Sequence, residues 1–197
     1  MEQNTTEIRV SAILIKAGYC ILPIWLGLAT IAGFFAEGYD PIASHVSVMT
    51  LSPGTAHMIA NLAALGAGTA LIMFGIGIWQ LSGRALSVGA LGWVIFGVSM
   101  LANGIWPMGG PMHGLYIIGI FNIIAPALSL LEIRDGDMRK RMLNITAFVS
   151  FSSILYLWIA LNGFDPDGYQ GLTQRLFGSI NYLWPLVFAH QYFKRTR

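Results

Sequence analysis

The run Met58-Ile-Ala-Asn-Leu-Ala-Ala-Leu-Gly-Ala-Gly-Thr-Ala-Leu-Ile-Met-Phe-Gly-Ile-Gly-Ile-Trp79 contains no Asp, Glu, Lys or Arg. A helix needs roughly 20 apolar residues to cross the hydrocarbon core of a bilayer, and this run supplies them. Outward from it, five further segments read the same way. The spans expected are 12–36, 57–81, 85–106, 112–132, 140–162 and 172–193. Of the 197 residues, 55% are hydrophobic and only 10% charged. A soluble domain carries about 25% charged residues. The mean hydropathy of +0.65 agrees. These figures exclude a water-soluble enzyme and a disordered chain, and a net charge of +2, scattered along the sequence, excludes a nucleic-acid binder. The single cysteine, Cys20, allows neither a disulfide framework nor a Cys-based zinc site. The fold class expected is an all-α integral membrane protein: one compact bundle of six transmembrane helices over 1–197.

The first segment reads as a retained span. Its apolar run beyond Lys16 outlasts the roughly 7–15 residues of a signal core, and Pro23 should kink it. With both termini inside, Arg9, Lys16, Arg84, Arg134, Arg139, Lys140, Arg141, Lys194, Arg195 and Arg197 all fall on the inner side. Of the 11 basic residues only Arg175 is then outside. Glu37, Asp40, Asp165 and Asp167 belong to the outer loops. Trp79, Trp106 and Tyr192 suit interfacial belts. Short connections are expected between spans two and three and between three and four, and Ala60, Ala64 and Gly68 form a stripe suited to close helix packing. This orientation assigns the chain to the cell membrane as a multi-pass protein.

Polar groups inside a span are costly and normally face a cavity or one another. His57 and Asn61 lie one turn apart on span two; Asn103, His113, Gln174 and Arg175 sit near the same outer end. Deeper, Asn122 precedes Pro126 by four residues, and Asn181 precedes Pro185 by four. A proline removes the hydrogen bond to the carbonyl four residues before it, so each freed carbonyl is the asparagine's own. Interrupted helices with polar groups at matching depth point to a membrane binding site. Each amide could equally tie down its own broken turn. Gly38-Tyr39-Asp40-Pro41 is echoed by Gly163-Phe164-Asp165-Pro166, and Asp before Pro is good helix-capping chemistry. The segment Pro41–Met49, with Ile42, His45, Val46 and Met49 on one stripe, should form a short interfacial helix.

Glu37 and Asp40 with His113 offer acid–base groups at the outer face. His45, His57 and His113 could supply three zinc ligands, but none shows helical i, i+4 His pairing, and a single inner histidine, His190, cannot complete a second haem. No metal and no cofactor is therefore assigned. Coupled transport is disfavoured because no ionisable residue lies at mid-depth.

The stretch from Gly38-Tyr39-Asp40-Pro41 to Val46-Ser47-Val48-Met49, then Asn61 with Gly66, Gly104-Ile105-Trp106-Pro107 with His113-Gly114, and Gly171-Leu172-Thr173-Gln174-Arg175-Leu176, resembles the prokaryotic six-span family labelled domain of unknown function nine-nine-eight. The order and spacing hold over nearly the whole chain. Gly-Ile-Trp-Pro departs from the family's usual Phe before the proline. The resemblance carries no established activity; it marks Tyr39, Asp40, Ser47, Asn61, His113 and Arg175 as pattern positions. As the one basic residue expected on the outer side, Arg175 has two roles open to it, a salt bridge to Asp40 or Asp165, or capture of an anionic headgroup.

The function expected is an outward-facing polar pocket that binds a lipid-like or isoprenoid-like amphiphile. Acid–base turnover of an isomerase, cyclase or hydrolase type would fall to Asp40, Glu37 and His113. Tyr39, Ser47, His57, Asn61, Asn103, Trp106, Asn122, Arg175 and Asn181 would contact the ligand. The alternative is a non-catalytic accessory protein or a facilitator for a neutral solute. Partners would be membrane lipid or a small amphiphile and not nucleic acid, with a homo-oligomer left open.

Overall fold

A computed structural model describes residues 5–115 and 119–195. Residues 116–118, within the expected fourth span, and Arg197, one of the basic residues used for orientation, lie outside the described residues. Among the described residues, helices follow in the order α1 (Thr5–Lys16), α2 (Ile21–Gly33), α3 (Thr55–Ser82), α4 (Val88–Ile105), α5 (Phe121–Glu132), α6 (Gly136–Leu161) and α7 (Gln170–Arg195). Short 3-10 turns lie at Ala17–Tyr19, Val46–Leu51 and His113–Leu115, and no strand occurs among the described residues. Val10–Gly33, Thr55–Ser82, Val88–Ile105 and Gly136–Leu161 are long and apolar enough to cross a membrane. α5 is apolar but short. α7 is long, yet Gln170, Thr173, Gln174, Arg175, Asn181 and Gln191 dilute its apolar character.

Local chemistry sets these boundaries. Pro23 occupies the first turn of α2, where a missing N–H costs nothing, and the chain tightens into the 3-10 turn just before it. α3 ends at Gly83, whose left-handed φ of 58° closes the helix. Ser87 caps α4, its Oγ accepting from the Ala90 amide at 3.4 Å. Trp106 is extended because Pro107 follows, and α4 stops there. Asp135 caps α6, accepting from the Met138 amide at 2.8 Å.

Two expectations change. The fourth span was expected from residue 112, but the described helix begins at Phe121. Gly109 (φ 85°), Gly114 (φ 71°) and Leu115 (φ 41°) take left-handed backbone that a helix excludes. Among the described residues after α4, 106–115 hold only the 3-10 turn His113–Leu115, and Ser99 Oγ of α4 donates to the Gly114 carbonyl. Pro41–Met49 also forms no single interfacial helix. His45 is extended (ψ 149°), so the turn after Pro41 and the 3-10 turn Val46–Leu51 are separate, with Ile42 exposed and Val46 and Met49 buried.

Helices α3 and α4 form the tightest seam. Asn61, Gly68 and Gly75 recur every seven residues on one, and Ala90, Gly97 and Gly104 on the other. A Cβ on Gly68 would stand 2.8 Å from the Gly97 carbonyl oxygen, one on Gly75 2.9 Å from that of Ala90, and one on Gly104 2.9 Å from that of Asn61. The absent side chains let the two antiparallel backbones touch, as small residues do between helices in lipid. Glu132, buried at the end of α5, accepts from Ser87 Oγ (2.5 Å) and the Val88 amide (2.7 Å), so a carboxylate sits on the positive N-terminus of α4. Stacked Trp93 and Trp184, with Phe74 and Phe188, fill the middle of the bundle.

Candidate functional site

One end of the bundle carries the 34–54 and 162–169 loops; it is called the upper end here. Beneath it lies a cavity of about 720 Å³, within the range of single-ligand sites. Helices α2 to α7 wall it, together with Val46, Ser47 and Thr50 of the first long loop. Tyr182 stacks on Phe96 and meets Trp25 edge-on, and all three face the cavity. Ile120, Ala160 and Leu161 line it too and are exposed, so it opens between the start of α5 and the last turn of α6.

Its polar groups form two tiers. Ser47, Asn103, His113 and Gln174 lie at the upper end; Asn122, Ser153 and Asn181 lie lower. Gln174 and Asn181 are two helical turns apart on α7, about 10 Å along the axis. The lower tier is built around the two interrupted helices. Pro126 frees the Asn122 carbonyl, and Asn181 Nδ2 donates to that oxygen at 3.4 Å and to Ser153 Oγ at 3.1 Å. Asn181 thus tends the neighbouring helix's broken turn as well as facing the cavity. Its Oδ1 is buried and accepts no hydrogen bond. Among the described lining residues there is no Asp, Glu, Lys or Arg.

Of the other expected residues, some stand around the cavity rather than in it. His57 Nδ1 meets the Thr50 carbonyl at 2.6 Å and Asn61 Nδ2 meets His57 Nε2 at 3.0 Å. That pairing requires the proton on Nδ1, donating to Thr50, and the lone pair on Nε2, accepting from Asn61. Thr50 Oγ1 in turn donates to the Ser47 carbonyl and accepts from the Met108 amide at 2.9 Å, binding both loops to the top of α3. His113 lines the cavity with Nδ1 at 2.8 Å from the Trp106 carbonyl; the Trp106 side chain is outside. Among the described residues, Asn103 Nδ2 reaches only Met100 Sδ, at 3.7 Å. Ser47 Oγ faces Met108 Sδ.

Asp40 and Glu37 are exposed and do not line the cavity. Asp40 Oδ1 accepts from the amides of Ile42 (2.8 Å) and Ala43 (3.3 Å), the turn-capping role that Asp before Pro suits. Asp165 does not cap α7; its carboxylate takes the Thr173 hydroxyl at 2.6 Å, since α7 starts only at Gln170. The echoed motifs do share backbone: Gly38 and Gly163 have φ of 68° and 67°.

Arg175 forms no salt bridge to Asp40 or Asp165. Its guanidinium donates to the carbonyls of Pro41 (2.7 Å) and Gly171 (2.9 Å) and to the Tyr39 hydroxyl (2.5 Å), and it lies over the Tyr39 ring. Next to it, Gln174 Oε1 accepts from the Val46 amide at 2.7 Å. A side chain at Gly171 would collide with the Ser44 and Pro41 carbonyls, so the glycine lets the loop lie directly on α7. Gln174 was legible as a cavity residue from its spacing of seven before Asn181; Ser153, Tyr156 and Tyr182 carried no such signal.

Among the described residues no three His, Cys, Asp or Glu side chains gather as a metal site. A helical protein of membrane type, with one uncharged cavity under a loop strapped to its last helix, is what these features define. The family described as protein of unknown function, DUF998, matches residues 20–191, and the chain belongs to it. No curated protein and no solved structure matches it.

Proposed function

We propose that the protein binds a neutral, lipid-like or isoprenoid-like amphiphile in this cavity. The observation that carries the reading is a roomy, mainly apolar chamber with polar tiers and, among the described lining residues, no Asp, Glu, Lys or Arg. An anionic or cationic group there would lose its hydration without a counter-charge, at a cost of several kcal/mol, whereas a hydroxyl, carbonyl or chain would not. The exposed mouth between α5 and α6 suits entry from the side, where a lipid would be. With Asp40 committed to its turn and Glu37 outside the wall, the arrangement favours binding over carboxylate-driven turnover.

In this reading the chain is a six-span protein of the cell membrane, with α5 and its preceding segment as the fourth span and α7 as the sixth. Both termini face the cytoplasm and the cavity opens on the outer side. A cysteine placed at Asp167 in a Cys20→Ser background is then labelled by an impermeant maleimide on intact cells, and one at Arg84 is not; the reverse pattern contradicts the orientation. Ala160→Trp fills the exposed mouth without touching the core. Native mass spectrometry should find a lipid-mass adduct on the parent protein and lose it on this variant. Equal adducts on both, or none on either, refute the binding site.

A further inference from the structure

Asn181 is 4% exposed, lines the cavity, and leaves Oδ1 without a hydrogen bond while Nδ2 is fully engaged by Ser153 and Asn122. A buried carbonyl oxygen with no donor is uncommon, and each such group costs free energy until something pairs with it. Beside it, the Asn122 side chain also faces the cavity and makes no hydrogen bond within the described protein. The lower tier therefore presents one unused acceptor and one unused amide, with no charge to neutralise an ion.

Resting on the reading of this cavity as a lipid site, we infer that its ligand is a lipid alcohol that enters head first. The hydroxyl donates to Asn181 Oδ1 and accepts from the Asn122 amide. A hydroxyl is the small uncharged group that does both at once. A phosphate or carboxylate brings only acceptors toward Oδ1 and finds no cation in the wall. An ether or ester accepts but cannot donate, and leaves Oδ1 as it is. The apolar remainder lies along Tyr182 and Phe96 toward the mouth at Ala160.

The test is equilibrium binding of tritiated farnesol to the full chain in lipid nanodiscs, with unlabelled farnesol, farnesyl methyl ether and dioctanoylglycerol as competitors. Farnesol is expected to compete about tenfold better than its methyl ether, the worth of one buried hydrogen bond. Asn181→Leu should bring the two within about twofold. Dioctanoylglycerol separates a single-chain alcohol from a diacyl source: the better competitor of the two identifies which alcohol is held, and either supports the inference. Equal competition by farnesol and its ether overturns it while leaving the cavity as a lipid site. Failure of every competitor and of farnesol itself overturns both. If Asn181→Leu does not fold, the alcohol–ether comparison on the parent protein still decides, and Asn122→Leu gives the second variant.

Discussion

Arg175 is a cation whose partners are all uncharged, and its worth lies in geometry. Its planar fork spans two carbonyls and the Tyr39 hydroxyl at once, which an ammonium cannot do. Hydrogen bonds to charged groups contribute about 1.5–3 kcal/mol, so Arg175→Lys should destabilise by about 2 kcal/mol and Tyr39→Phe by about 1. The two changes touch one contact, and the double variant should fall short of additivity by about 1 kcal/mol in thermal melts in detergent. Strict additivity would mean that the loop is not held this way. Both residues stood out in the sequence. Their pairing did not, because charge complementarity directed Arg175 to Asp40 or Asp165, and backbone carbonyls are invisible in a string of letters. For His57 and Asn61, by contrast, i, i+4 spacing on one helix already implied that they meet.

At the level of helices, the α3–α4 seam leaves no room for a methyl group. Gly97→Ala pushes a Cβ to 2.7 Å from the Gly68 carbonyl oxygen, and overpacking of this kind costs about 1–3 kcal/mol. Gly27, also helical, has nothing within 4 Å, so Gly27→Ala should leave the melting temperature unchanged or raise it slightly. Equal losses at both positions would contradict the seam. A second helix contact responds to pH. The Met138 amide, and after it the Arg195 guanidinium from the end of α7, hold the Asp135 carboxyl below the usual carboxylate range. A depressed native pKa gives stability that is present above the unfolded value and lost as pH falls through the folded one. Melting temperature should therefore drop below about pH 4 by more in the parent than in Asp135→Asn, and parallel curves would refute the link. Helix α3 and the ends of α6 and α7 were legible to within a few residues from apolar runs and caps. The start of the fourth segment was not, because its composition is mainly apolar from residue 112 while left-handed backbone at Gly114 and Leu115 keeps its first residues out of a helix. Glycine's identity signals freedom, not which of its conformations is used.

For the molecule as a whole, the sequence pointed to a chamber by the depth of its polar residues, and the structure divides that set in two. Ser47, Asn103, His113, Asn122 and Asn181 line the cavity, whereas Tyr39, Asp40, His57, Asn61 and Arg175 hold the loops above it. Depth along a helix was readable from spacing; the direction each side chain takes depends on which helix lies opposite, and that is decided by the whole bundle. In the proposed function the first set would supply the surface a ligand meets, and the second holds the loops above it. The most direct test is an experimental density map of the protein in lipid nanodiscs. The account predicts elongated density running from the mouth at Ala160 to within hydrogen-bonding distance of Asn181. A cavity closed by packed side chains, or filled by ordered water alone, would contradict it.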